Sequence, residues 1–127
     1  GMVVVTEPDL ETLTYHASQH EVARRLMRWH CDRMRNGRIG RALPELFRRV
    51  GLTDIQTLPT VAHSAHLSDY PIALAQRAAQ HGAITSEEAD TLIAEWRSRD
   101  ADGDFLEYGV FFTVAGRSAG NAHIAEP

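Results

Sequence analysis

Lysine is missing from this chain altogether: all 13 basic residues are arginine. No structural role demands that, and codon usage in a GC-rich genome accounts for it. Cysteine is nearly missing too. Cys31 stands alone, which excludes an internal disulfide and a cysteine-based zinc finger. No apolar run approaches the roughly 20 residues that span a bilayer, and no signal peptide is expected ahead of Met2. The expectation is therefore a soluble, cytoplasmic protein with no membrane partner. Basic charge is not in surplus either. A net charge of −4 and a pI near 5.9 argue against a nucleic-acid binder, whose affinity rests on a basic surface. Finally, no G-x-G-x-x-G or phosphate loop follows any strand-like run.

What is present is ordinary for a folded domain: 127 residues, 43% apolar and 24% charged, enough for one core. We expect one domain over residues 2–117 and a small, polar, frayed tail over 118–127. Val3, Val4 and Val5 form a short β-branched run that Glu7-Pro8-Asp9 closes, which reads as a strand covered on both faces. Leu10 to Ala17 reads as a connector. Ser18 and Glu21 have the spacing of a capping box, ahead of a helix on Val22, Ala23, Leu26, Met27, Trp29 and Met34 that Asn36-Gly37 ends. Pro44 marks the first turn of a second, short helix through Leu46, Phe47 and Val50, stopped by Gly51. Leu52 to Thr60 reads as a strand, and Val61 to Leu67 either continues it past a bulge or does not.

Pro71 opens a third helix over 72–81, with Gly82 as its stop. Thr85 and Glu88 form a second capping box, leading into a helix whose Ala89, Leu92, Ile93 and Trp96 share one face. Asp100 to Asp104 reads as a turn. Phe105 to Ala115 is the longest strand signal, apolar on both faces and therefore central in its sheet.

Three constellations invite chemistry and are better explained otherwise. Asp100, Asp102 and Asp104 suggest a calcium loop, yet Phe105 and Phe111 stand where its glycine and glutamate belong. His16 with His20, and His63 with His66, lack the further ligands that a zinc site needs. His30, Cys31 and Asp32 list the residue types of a cysteine nucleophile, but helix neighbours point in different directions. No metal and no catalytic residue is expected.

Three stretches, taken in order, resemble class I S-adenosylmethionine-dependent methyltransferases of the branch that includes quinone-biosynthesis enzymes. VVVTEPDLETL is similar to their fifth strand and the turn after it. GRIGRALPELFRRVGLTDIQTLP is similar to the segment leading into the sixth strand. HGAITSEEADTLIAEW with FLEYGVFFTVAGR is similar to the late helix and last strand. The resemblance implies a partial Rossmann-like α/β fold of about three strands, in the family order 5-7-6, with about four helices.

It further implies a C-terminal half without the N-terminal cofactor-binding half, so no cofactor is expected for the chain alone. S-adenosylmethionine would bind only if a complementary half, such as a separate chain, were supplied. Residues at acceptor-lining positions are Glu7, Asp9, Thr12, Tyr15, Arg38 and Tyr70. An unpaired edge at Val3–Val5 would favour a homodimer. Two alternatives stand beside this reading. One is a non-catalytic dimeric module that binds a small ligand or a protein, with Tyr15, Trp29 and Trp96 as candidate lining. The other is a truncated gene product.

Overall fold

The computed structural model describes residues 1–119. Its elements run β1 (Met2–Tyr15), α1 (His20–Arg33), α2 (Ile39–Arg49), β2 (Thr53–Ser64), α3 (Asp69–Gln80), α4 (Ser86–Asp102) and β3 (Glu107–Arg117). The expected tail lies outside the described residues from 120 on. Its first residue is tied down, since the Ser118 N–H donates to the Gly1 carbonyl at 2.9 Å.

The fold is α/β. The three strands form one sheet in the order β1-β3-β2, and β3 is antiparallel to both neighbours, so β1 and β2 run parallel. The two-sided apolar pattern of β3 marks it as central, and it is. Proline agrees: Pro8 and Pro59 sit on the outer strands opposite Phe111 and Phe112. A residue without an N–H is tolerated at an edge and excluded from the middle.

β1 departs from expectation twice. It does not stop at Pro8 but continues to Tyr15, with a break in register between Asp9 and Thr14. Nor is it covered on both faces, for Val3 is 38% and Val4 58% exposed. One face is sealed by α2, whose Leu43 and Phe47 pack on Val114 with Val5, Ile55 and Phe112 around them. On the other face Met2, Val4 and Leu58 stay exposed, and the paired Thr6 and Thr113 hydroxyls hydrogen-bond to each other at 2.8 Å. β2 likewise continues through Ser64, with its irregularity at the start, between Thr53 and Gln56, where Asp54 adopts φ 50°.

The helices repeat this mixture. The Thr85–Glu88 capping box of α4 is formed in both directions. The box expected at Ser18 is not: α1 is capped at Gln19 without a side-chain bond. Glu95 of α4 accepts the Ser18 N–H at 2.7 Å instead. α2 starts at Ile39, which leaves Pro44 inside it rather than at its first turn. α4 runs to Asp102, so the expected turn shrinks to Gly103, which takes the left-handed conformation at φ 79°. Met27 and Leu26 of α1, Leu74 and Ala75 of α3, and Leu92 and Trp96 of α4 make the larger core, which Tyr15 and Phe105 join to the end of the sheet. Each such large side chain contributes about 1.5–3 kcal/mol by leaving water. No helix among the described residues is long and apolar enough to cross a membrane.

Candidate functional site

The break in β1 builds the site. Past Asp9 the ladder to β3 is interrupted, and side chains replace it. The Thr12 hydroxyl donates to the Asp9 carbonyl at 2.7 Å and accepts the Val110 N–H at 2.8 Å. The Asp9 carboxylate, 3% exposed, accepts the Glu11 N–H at 3.2 Å and the Arg41 guanidinium. A carboxylate this buried requires such partners. Thr12 and Asp9 therefore hold the bulge, and the strand beyond it passes beneath α1.

Between them lies a cleft of about 670 Å³, within the range of small-molecule sites. β1 contributes Glu11, Leu13, Thr14 and Tyr15, and α1 contributes His20, Ala23, Arg24, Met27 and Arg28, among others; Arg38 closes one end. Ala23 and Met27 are one turn apart on α1, and Arg24 and Arg28 form the adjacent row. Side chains at that spacing sit one above the other. The cleft thus has an apolar floor and a rim of guanidiniums.

Ion pairs organise the rim. Arg38 bridges Glu11 and Asp32, the latter at 2.7 Å, and Arg41 also reaches Glu11 at 3.6 Å. The Arg38 hydrogen bond, with Arg38, Arg41 and Arg28 acting through space, holds the Glu11 carboxyl below its ordinary range. Arg25 is committed to Glu88 through both terminal nitrogens. Arg24 meets Glu21 at 3.8 Å with both side chains largely exposed. Arg28 has no ion pair or hydrogen bond among the described residues.

The structure gathers some of the expected acceptor-lining residues and scatters others. Tyr15 and Arg38 line the cleft. Tyr15 is nonetheless a core residue, its ring 4.9 Å from that of Trp96. Burial raises its phenol pKa, with Glu107 adding to the effect, and its hydroxyl makes no hydrogen bond among the described residues. Asp9 and Thr12 support the bulge next to the cleft rather than lining it. Asp9 borders a separate recess of about 300 Å³ with Ala62 and Tyr108. Glu7 is paired with Phe112 in the sheet, away from the cleft. Tyr70, on α3 and 57% exposed, meets the buried His30 at 3.3 Å through its hydroxyl.

Trp96 is fully buried. Trp29 packs against His81 with the rings tilted 40° and carries Arg33 over its ring at 4.6 Å. Neither lines the cleft. Leu13, Met27, Arg24 and Arg28 do, and sequence reasoning passed them over. The i, i+4 arginine row beside an i, i+4 apolar row was the available signal. Among the described residues no three His, Cys, Asp or Glu side chains converge as a metal site. The chain matches no protein-family model and no curated protein.

Proposed function

We propose that this chain is the acceptor-side half of a methyltransferase-like unit, inactive in methyl transfer by itself. One observation carries the reading. β1 and β2 run parallel with an antiparallel β3 between them, the 5-7-6 order implied by the resemblance, and the cleft opens beside the carboxyl end of β1. Open α/β sheets bind their ligands outside the carboxyl ends of strands. The acceptor lies between the α1 rim and the Leu13–Tyr15 wall, which orient it and shield it from water. Orientation of that kind is most of what such a half contributes to a transfer reaction.

The residues present do not fit S-adenosylmethionine. Gly51, Gly82 and Gly103, the glycines with positive φ, all follow helices rather than strands. Glu11, the carboxylate of the cleft wall on β1, is already held by Arg38 and Arg41. A complementary half, on this chain or another, supplies the cofactor site. The same reading includes a cytoplasmic location and a homodimer through the Val3–Val5 edge, supported by the lack of a strand partner on the far side of β1 among the described residues. A ligand-binding module without catalysis is the second reading, favoured by a cleft built from only β1, α1 and Arg38.

Calorimetric titration of S-adenosylhomocysteine, with the mass in solution measured on the same sample, tests the proposal. We expect no cofactor heat and a dimer mass. Micromolar cofactor binding to the chain alone overturns the half-unit reading, and a monodisperse monomer overturns the dimer.

A further inference from the structure

We propose that the cleft between β1 and α1 binds an amphipathic monoanion, an apolar body carrying one carboxylate that Arg28 holds at the rim. This rests on the acceptor-side reading in that it names the chemistry of the molecule the cleft takes. The floor selects the body. Leu13, Ala23 and Met27 offer carbon and sulfur surface, and a cleft of about 670 Å³ accommodates a ring system.

The rim selects the charge. Every carboxylate around the cleft is engaged by an arginine other than Arg28: Glu11 by Arg38 and Arg41, Glu21 by Arg24, Glu88 by Arg25 and Asp32 by Arg38. Arg28 keeps its fork of donors free beside an apolar floor, and that fork matches a carboxylate in shape. Arg24, one turn away and only loosely held by Glu21, adds a second positive group. A cationic ligand meets four guanidiniums at this rim and is rejected. A neutral one leaves Arg28 without an ion pair, with only the through-space pull of Glu11.

The test uses naphthoate and naphthamide, which share ring and size and differ in charge, titrated by calorimetry into the chain without any methyl donor. Naphthoate is expected to bind saturably and naphthamide about tenfold or more weakly, the loss of one charge-assisted hydrogen bond. Arg28→Gln, at an exposed position that the fold does not need, lowers naphthoate affinity by about tenfold to a hundredfold. Arg28→Lys recovers part of the loss. Arg97→Gln, an exposed arginine on α4 outside the cleft, leaves affinity unchanged.

Equal binding of acid and amide, an Arg28→Gln variant within about twofold of the parent, equal losses from Arg97→Gln and Arg28→Gln, or no saturable naphthoate binding each overturn the proposal. Because no cofactor is present, the result is independent of the S-adenosylhomocysteine titration. Naphthoate binding with tight cofactor binding keeps the cleft and removes the half-unit reading. The converse pattern removes the cleft and keeps that reading.

Discussion

Gly40→Ala separates helix propensity from docking, because here the two act in opposite directions. Gly40 lies in the first turn of α2, where alanine gains about 1 kcal/mol of helix propensity. A Cβ on Gly40, however, lies 2.7 Å from the Glu7 carbonyl oxygen and 2.9 Å from the carbonyl carbon and oxygen of Pro8. All three are backbone atoms of β1, so no side chain can swing aside. α2 has to lift, and with it Leu43 and Phe47, which cover the fully buried Val114.

Overpacking of this sort costs about 1–3 kcal/mol, and a backbone neighbour places it near the upper end. The net loss is then about 2 kcal/mol, or a fall in Tm of about 6–10 °C for a chain of this size. Gly82→Ala is the control: φ is +77° with nothing within 4 Å of the new Cβ, so it carries only the left-handed strain of about 1–2 kcal/mol. Thermal unfolding by circular dichroism measures both, and amide exchange at Val114 reports the lifting of α2 directly. A Gly40→Ala protein as stable as the parent, with unchanged Val114 exchange, refutes the close approach of α2 to β1.

Three further outcomes are expected. Trp96→Ala costs about 3–5 kcal/mol by denaturant unfolding, whereas Trp96→Phe costs far less, since the buried indole N–H makes no hydrogen bond among the described residues. Glu88 has its carboxyl drawn down from the ordinary 4.5 to about 2 by the Arg25 hydrogen bond and the Thr85 N–H. Its contribution is whole above pH 4.5 and is lost as pH falls toward 2, so Glu88→Gln flattens that acid limb of the stability profile. His30 is held below its ordinary 6.5 by burial, with Arg33 adding to the effect, so the unfolded chain takes up the proton first. Stability falls as pH drops below 6.5, and His30→Asn removes that part of the slope.

What could be read from the sequence was set by neighbours in the chain, and what could not was set by neighbours in space. The Thr85–Glu88 box formed because both partners lie within one turn of α4, and Glu88 takes the Arg25 guanidinium as well without giving up the Thr85 N–H. The same spacing at Ser18 and Glu21 failed because a carboxylate 77 residues away, Glu95, takes the Ser18 N–H, while Arg99 reaches the Ser18 hydroxyl at 3.3 Å. Pro44 carried a valid signal for a first turn, but α2 starts earlier, at Ile39, and the proline lies inside it.

Pro8 misled for a related reason. With Glu7 and Asp9 it was read as a turn that closes the strand, yet on an outer strand the N–H it lacks is not needed, and the strand runs on past it. Pairing it with Pro59 recovers the sheet order, since the two proline-bearing strands have to flank the one without proline. The cleft follows from the same continuation. Closing β1 at Glu7-Pro8-Asp9 left Leu10 to Ala17 as a connector, and the family resemblance put Glu7, Asp9 and Thr12 in the lining. Once the strand runs on to Tyr15 across a bulge, Asp9 and Thr12 become its struts. The wall then passes to Glu11, Leu13 and Tyr15, directly beneath the Arg24–Arg28 row that α1 lays over them.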